Sequence, residues 1–326
     1  MSECRAVARA VFLCVASASA VSVSAQSLRF ARVGSIAGPA DMVKVQGRYA
    51  YIVADKTVSV VDISNPAAPR REGAYTFPDR IWGFSVAGSL VYVADDLAGF
   101  GILDVSNPAA PTLRGSFKTR GQAHGVAVYG TKALVADHMA GVVLVDASNP
   151  ANPVAVDSFF LEGYPRDVVA RGALAYAVDS PTGFYVFDLS RPGPLEPASA
   201  LQSANGRALG VSEGAPGANI ANIANIVCVA GGAALQVFDV TRPAAPVLTA
   251  TYRTPGRPQR VSLQASLAYV ADGPAGLQVV DLSMPSTPRL VGAHATSAPA
   301  RDVAIASSLV LVVVGNEEVL LLRQTP

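Results

Sequence analysis

From Ala31 onward the chain alternates short apolar runs with clusters of Gly, Pro, Asn and Asp, and the alternation is itself periodic. An apolar run and a small turn are followed by a run resembling Tyr-Val-Ala-Asp. A third run then ends in Asp just before Ser-Asn-Pro-Ala-Ala-Pro or a variant of it. That third-run aspartate falls at Asp62, Asp104, Asp146, Asp188, Asp239 and Asp281, at spacings of 42, 42, 42, 51 and 42 residues. The long interval holds nine extra residues and writes Ala-Asn-Ile three times between 218 and 226, which reads as a tandem expansion in a turn or strand end. A further step of 42 lands on Arg323, so a seventh unit starts at Arg301-Asp302-Val303 and runs to the C-terminus.

Each unit divides into four short runs rich in Val, Leu, Tyr and Ala. In the sixth they span about 260–265, 267–271, 277–282 and 289–293. Such runs between turn formers predict strands, and no segment after the N-terminal stretch sustains a helical period. The Asn-Pro-x-x-Pro segments end the third strand because proline has no amide hydrogen to extend a ladder. A four-stranded sheet with two apolar faces needs a neighbour on each side, and repetition around an axis supplies both. The expected fold is therefore all-β, a seven-bladed β-propeller. Its last unit stops after a third strand, while Ala31-Arg32-Val33-Gly34-Ser35 reads like the fourth-strand text Leu113-Arg114-Gly115-Ser116-Phe117. The N-terminal segment is thus expected to join the last blade and close the ring.

The runs Leu277-Gln278-Val279-Val280-Asp281 and Val142-Val143-Leu144-Val145-Asp146, with Ser and Pro following, resemble the LVIVD-repeat proteins of bacteria and archaea. The resemblance spans essentially all of the chain after its N-terminal stretch. It implies an extracytoplasmic propeller, often associated with surface proteins, and no common enzymatic activity.

Arg5 and Arg9 precede an apolar stretch over 10–23, and Val23-Ser24-Ala25 places small residues where a signal peptidase reads. Residues 1–25 are expected to be a cleavable signal peptide and 26–326 a single propeller domain. The stretch is short for a membrane span, and bulky Leu13 spoils a lipoprotein site at Cys14. A secreted or periplasmic protein, with no membrane insertion after cleavage, follows. Only Cys228 then remains, inside an apolar run, so no intrachain disulfide can form. Hydrophobic residues are 51% of the chain, and 25 Lys and Arg balance 24 Asp and Glu. That balance excludes nucleic acid as a general partner.

A residue present in every blade serves the blade, whereas a single site must come from residues that differ between blades. The third-run aspartates therefore read as turn caps, and so do Asp55, Asp95, Asp137, Asp179 and Asp272 at the ends of second strands. The loops leading into the innermost strand open on the same face as those joining strands two and three, around a central funnel. Aligning the units puts Asp41, Trp82, His124, Arg166, Gln259 and Arg301 at one equivalent lead-in position, with Arg207 assigned to the fifth unit. Arg80, Tyr164, Arg257, Arg260, Asp96 and His138 lie near them. Trp82 could stack on a sugar or simply plug the channel mouth. The arginines could clamp an anion, or Arg166 and Arg301 could pair with Asp167 and Asp302 to lock blades. His124 and His138, with Asp96 or Asp137, could move protons or hold a metal; with three histidines in the whole chain, no metal or cofactor is expected. His294 reads as an ordinary surface histidine. There is no nucleophile elbow, Walker loop, dinucleotide fingerprint, EF-hand loop or zincin motif.

Two functions compete, with a purely structural module of the cell envelope as a third alternative. One is a monomeric, non-catalytic scaffold binding a protein, peptide or glycan through Trp82, His124, Tyr164, Arg166, Arg207, Arg260 and Arg301. The other is a lyase or hydrolase for an anionic carbohydrate or small ester, using His124 or His138.

Overall fold

The sequence repeat becomes a ring of sheets in the computed structural model, which describes residues 28–180, 183–191, 193–201, 208–211 and 225–325. The N-terminal strand β1 (Arg29–Ala37) precedes blade one, formed by β2 (Met42–Gln46), β3 (Tyr49–Ala54), β4 (Thr57–Asp62) and β5 (Arg70–Thr76). Blade two holds β6 (Gly83–Ala87), β7 (Leu90–Asp95), β8 (Gly99–Asp104) and β9 (Thr112–Phe117). Blade three holds β10 (Gly125–Tyr129), β11 (Lys132–Ala136), β12 (Val142–Asp146) and β13 (Val154–Phe159). Blade four holds β14 (Tyr164–Arg171), β15 (Leu174–Ser180), β16 (Gly183–Asp188) and β17 (Pro197–Leu201). Blade five holds β18 (Ala208–Val211), β19 (Ile226–Gly231), β20 (Ala234–Asp239) and β21 (Val247–Arg253). Blade six holds β22 (Arg260–Gln264), β23 (Leu267–Ala271), β24 (Leu277–Asp281) and β25 (Arg289–His294). Blade seven takes β26 (Ala300–Ala306), β27 (Leu309–Val314) and β28 (Glu318–Thr325).

Each blade is a four-stranded antiparallel sheet, and in blade seven β1 supplies the outermost strand beside β28. Ala31 pairs with Arg323 and Ser35 with Leu320, so the predicted ring closure is present. Among the described residues the only helical element is a single 3-10 turn, His138–Ala140. None of their helices is long and apolar enough to cross a membrane. The signal peptide expected at 1–25 and most of the Ala-Asn-Ile tandem lie outside the described residues.

The core is divided among the seams. Seven apolar clusters each sit between two neighbouring blades, because successive side chains on a strand face opposite sides. In β3, Tyr51 and Val53 pack toward blade two while Ala50 and Ile52 pack toward blade seven. Burying both faces of every blade removes the reason for any one of them to exist alone.

The repeated polar residues do local work. All six third-strand aspartates accept the backbone amide two residues on, Ser64 for Asp62 through Ser283 for Asp281, at 2.8–3.0 Å. The proline turns have a further task that spacing did not reveal: they dock on the preceding blade. Each outermost strand is bulged where it pairs with strand three, and at Gly73 and Gly115 the next blade's turn fills the dent. A Cβ on Gly73 would lie 2.6 Å from the Pro108 carbonyl oxygen, and one on Gly115 would lie 2.5 Å from that of Pro150.

Candidate functional site

The lead-in residues converge as the alignment predicts. Asp41, Trp82, His124, Arg166, Gln259 and Arg301 line one cavity of about 300 Å3 at the channel mouth, together with Arg80 and Arg260. Below it a second cavity of about 510 Å3 follows the channel between the innermost strands. Arg207 lies outside the described residues.

What holds the lead-in loops is a tether of fixed length. The carboxylate ending the second strand accepts a backbone amide 16 residues earlier: Asp79 to Asp95 at 3.1 Å, Gly121 to Asp137 at 2.8 Å, Gly163 to Asp179 at 3.0 Å and Gly256 to Asp272 at 2.8 Å. Three residues beyond each donor stand Trp82, His124, Arg166 and Gln259. Burial raises the Asp137 and Asp272 carboxyls above the ordinary range and pushes Asp95 up to about 7. Blade one inverts the device, with the Asp41 carboxylate accepting the Asp55 amide at 2.8 Å.

Blades two to four carry an arc of touching rings. The Arg80 guanidinium lies 4.6 Å from the Trp82 ring centre, and Trp82 lies 5.2 Å from His124. His124 is 4.7 Å from His138, which stacks on Tyr164 at 4.7 Å and 18°. Glycine brings the blades close enough for this. Gly83 follows Trp82, and a Cβ there would lie 2.5 Å from the His124 carbonyl oxygen; Gly125 follows His124, and its Cβ would lie 3.0 Å from Asp167 Cα. The loop between strands two and three adds a second cause. In blades two and six, Asp96 and Gly273 accept the amides of Ala123 and Ala300 from the next blade. At the corresponding place in blade four stands Pro165, which has no amide to give, and the His138 ring packs on Tyr164 instead. Asp96 and His138 both take left-handed backbone, with φ of 41°, where blade six uses Gly273 at 55°. Blades two and three thus keep side chains where glycine costs least.

The imidazoles are held neutral. Burial, then the neighbouring His138 and the Arg166 charge, lower His124 to about 4; burial and Arg166 also lower His138. His138 Nδ1 and Asp96 Oδ1 are buried without a hydrogen-bond partner among the described residues. No group of three potential metal ligands occurs among those residues.

The other half of the mouth is tied up in ion pairs, and here the sequence expectation needs correction. Arg301 pairs with Asp41 at 2.8 Å rather than with Asp302, joining blades seven and one. Asp302 accepts the Val43 amide across the same seam at 2.8 Å. Asp167 pairs with Arg260 at 3.0 Å rather than with Arg166. The reason is strand geometry: adjacent residues project to opposite sides, so an Arg-Asp dipeptide does not pair with itself. Arg260 reaches from blade six to blade four, with Met42 Sδ of blade one 3.7 Å away, and lies between the mouth and the lower channel. His294 ends the outer strand β25, away from the mouth.

Three apolar side chains that spacing gave no reason to single out lie on loops of the same two blades, two and three: Leu97, Met139 and Phe160, all exposed. Their signal was available: where blades two and three carry Leu97 and Met139, the matching loops of blades one, six and seven carry Asp55-Lys56, Gly273-Pro274-Ala275 and Gly315-Asn316-Glu317, and the places equivalent to Phe160 hold Thr76, Lys118 and Arg253.

Many solved structures share the architecture. The Pan2 WD40 domain of Neurospora crassa matches with a TM-score of 0.70 at 11% identity, over 92% of this chain and 97% of that one. The RRP9 WD40 repeats match with a TM-score of 0.73 at 9% identity, over 92% and 99%. Identities this low carry the fold alone. No curated protein matches the chain. Residues 37–76, 81–119, 120–160, 219–254 and 255–296 match the family described as the LVIVD repeat.

Proposed function

Since those matched stretches make up more than half of its length, this chain belongs to the LVIVD-repeat family, and from that premise we propose that it is a non-catalytic binding protein. Its ligand, a protein, peptide or glycan, sits in the mouth over blades two to four. The leader sequence supports a role outside the cytoplasm, and the balanced charge argues against nucleic acid.

One observation carries the reading. At a position that every blade possesses, blades two to four present Trp82, His124 and Arg166 in a row, with His138 and Tyr164 continuing the ring contacts. Side chains that differ from blade to blade yet touch one another have no task in the repeat. His138 also occupies backbone that glycine would adopt at lower cost. A His124 lowered to about 4 is a weak acid catalyst at neutral pH, which favours recognition over proton transfer.

The test screens the wild type and a Trp82→Ala/Tyr164→Ala variant in parallel against a glycan array and a random-peptide display library. Ligands selected on the wild type should weaken about tenfold or more on the variant. A His138→Gly variant should also lose binding without losing melting temperature, because glycine relieves the backbone. Ligands held equally well by all three proteins would end the proposal.

A further inference from the structure

We infer that the ligand of this mouth is a polypeptide segment that lays apolar side chains on the rim of blades two to four and sets a carboxylate against Arg166. The inference rests on the binding reading above and adds the chemistry of the partner.

Two independent features point to it. The first is charge. Among the described residues four arginines reach the mouth, and three of them face a carboxylate: Arg301 and Arg80 share Asp41 at 2.8 and 3.9 Å, and Arg260 faces Asp167 at 3.0 Å. Arg166 forms no ion pair among the described residues, yet it lines the cavity. Its charge acts on both neighbouring imidazoles. A guanidinium that lines the cavity beside neutral rings suits an anion, and carboxylate is a planar two-oxygen group its fork accepts.

The second feature is the rim. Leu97 is 56% exposed, Met139 63% and Phe160 68%, all on loops of blades two and three. The loops carrying Met139 and Phe160 are in contact, since a Cβ on Gly141 would lie 2.8 Å from Phe160 Cα. Trp82 and Tyr164, both more than a third exposed, add aromatic surface on the neighbouring lead-in loops. A sugar ring gains from aromatic faces but little from flexible Leu and Met side chains. Apolar peptide side chains gain from all of them, and Met adapts to irregular partners. The anion site and the apolar rim therefore describe one extended ligand, longer than the 300 Å3 mouth holds.

The experiment uses peptides selected from a random display library on the full propeller, with a glycan array as the competing arm. Selected peptides should combine apolar residues with Asp, Glu or a required free C-terminus. Arg166→Gln should weaken them about tenfold or more, as expected for loss of a charge-assisted hydrogen-bonded pair. Replacing the peptide acid by its amide should then cost nothing further on the variant. Amidating the C-terminus separates a terminal carboxylate from a side-chain one. Leu97→Ser/Met139→Ser/Phe160→Ser should weaken the same peptides while the melting temperature holds. Neutral peptides or glycans that need Trp82 and Tyr164 but ignore Arg166 would overturn this inference and leave the mouth as the binding site. Ligands indifferent to Trp82 and Tyr164 would remove both.

Discussion

Replacing Asp95 by Asn should stabilise the propeller, and increasingly so as the solution becomes more alkaline. Asp95 is 3% exposed, and its carboxylate holds the Asp79 amide that anchors the loop bearing Trp82. Burial, with Asp79 and Asp96 nearby, lifts its carboxyl from 3.8 to about 7. A folded state that keeps its proton longer than the unfolded chain binds more protons between those values, so stability falls as pH rises through that window. At about 1.36 kcal/mol per pH unit, the cost of the charged carboxylate is about 1.5 kcal/mol near pH 5 and about 4 kcal/mol above pH 7. Asparagine keeps an oxygen for the Asp79 amide and never ionises. Thermal melts of parent and variant at about pH 5 and about pH 8 measure the difference. The gap in melting temperature should widen toward the alkaline end. A constant gap, or a variant that melts lower at both values, would show that Asp95 is charged and well solvated in the fold.

Four further outcomes follow from other contacts. Gly83→Ala forces a methyl within 2.5 Å of the His124 carbonyl oxygen and should cost about 1–3 kcal/mol, seen as a lower melting temperature; an unchanged value would mean the blades approach less closely. His124, lowered to about 4, should show no imidazole titration by NMR between about pH 6 and 8, and its contribution to stability should rise with pH between about 4 and 6.5; a midpoint near 6.5 would contradict its burial. Cys228 is fully buried with its thiol pushed far above the ordinary range, so a thiol reagent should modify it only after unfolding. Deleting residues 28–37 bares the edge of β28 and should yield an aggregating species by light scattering, an idea that a well-folded, non-aggregating deletion product would defeat.

The fold was legible because the repeat repeats its errors as well as its rules. Asp62 and its five counterparts mark strand ends with one spacing, and Ala31–Ser35 copies fourth-strand text in the wrong place, which is what a strand exchanged between the ends of a chain looks like. The lead-in positions were equally legible, since alignment alone gathered Asp41, Trp82, His124, Arg166, Gln259 and Arg301. Their partners were not. Arg260 chooses Asp167 across the width of blade five, and Arg301 chooses Asp41 across the ring seam, distances that no local spacing encodes. Leu97, Met139 and Phe160 escaped notice because an exposed apolar residue announces itself only against the polar loops of its sister blades.

Ring closure also decides the order in which this protein can be finished. Six seams join sequence neighbours, whereas the seventh joins Val43 to Asp302, 259 residues apart, and blade seven itself is completed by β1, which sets Arg32 against Glu318, 286 apart. A ribosome can release stacked blades one after another, but the circle must wait for the final strand, and until then β1 has no partner to zip against. The ring is therefore finished at a single long-range joint, where a stray edge from another molecule can compete with its own.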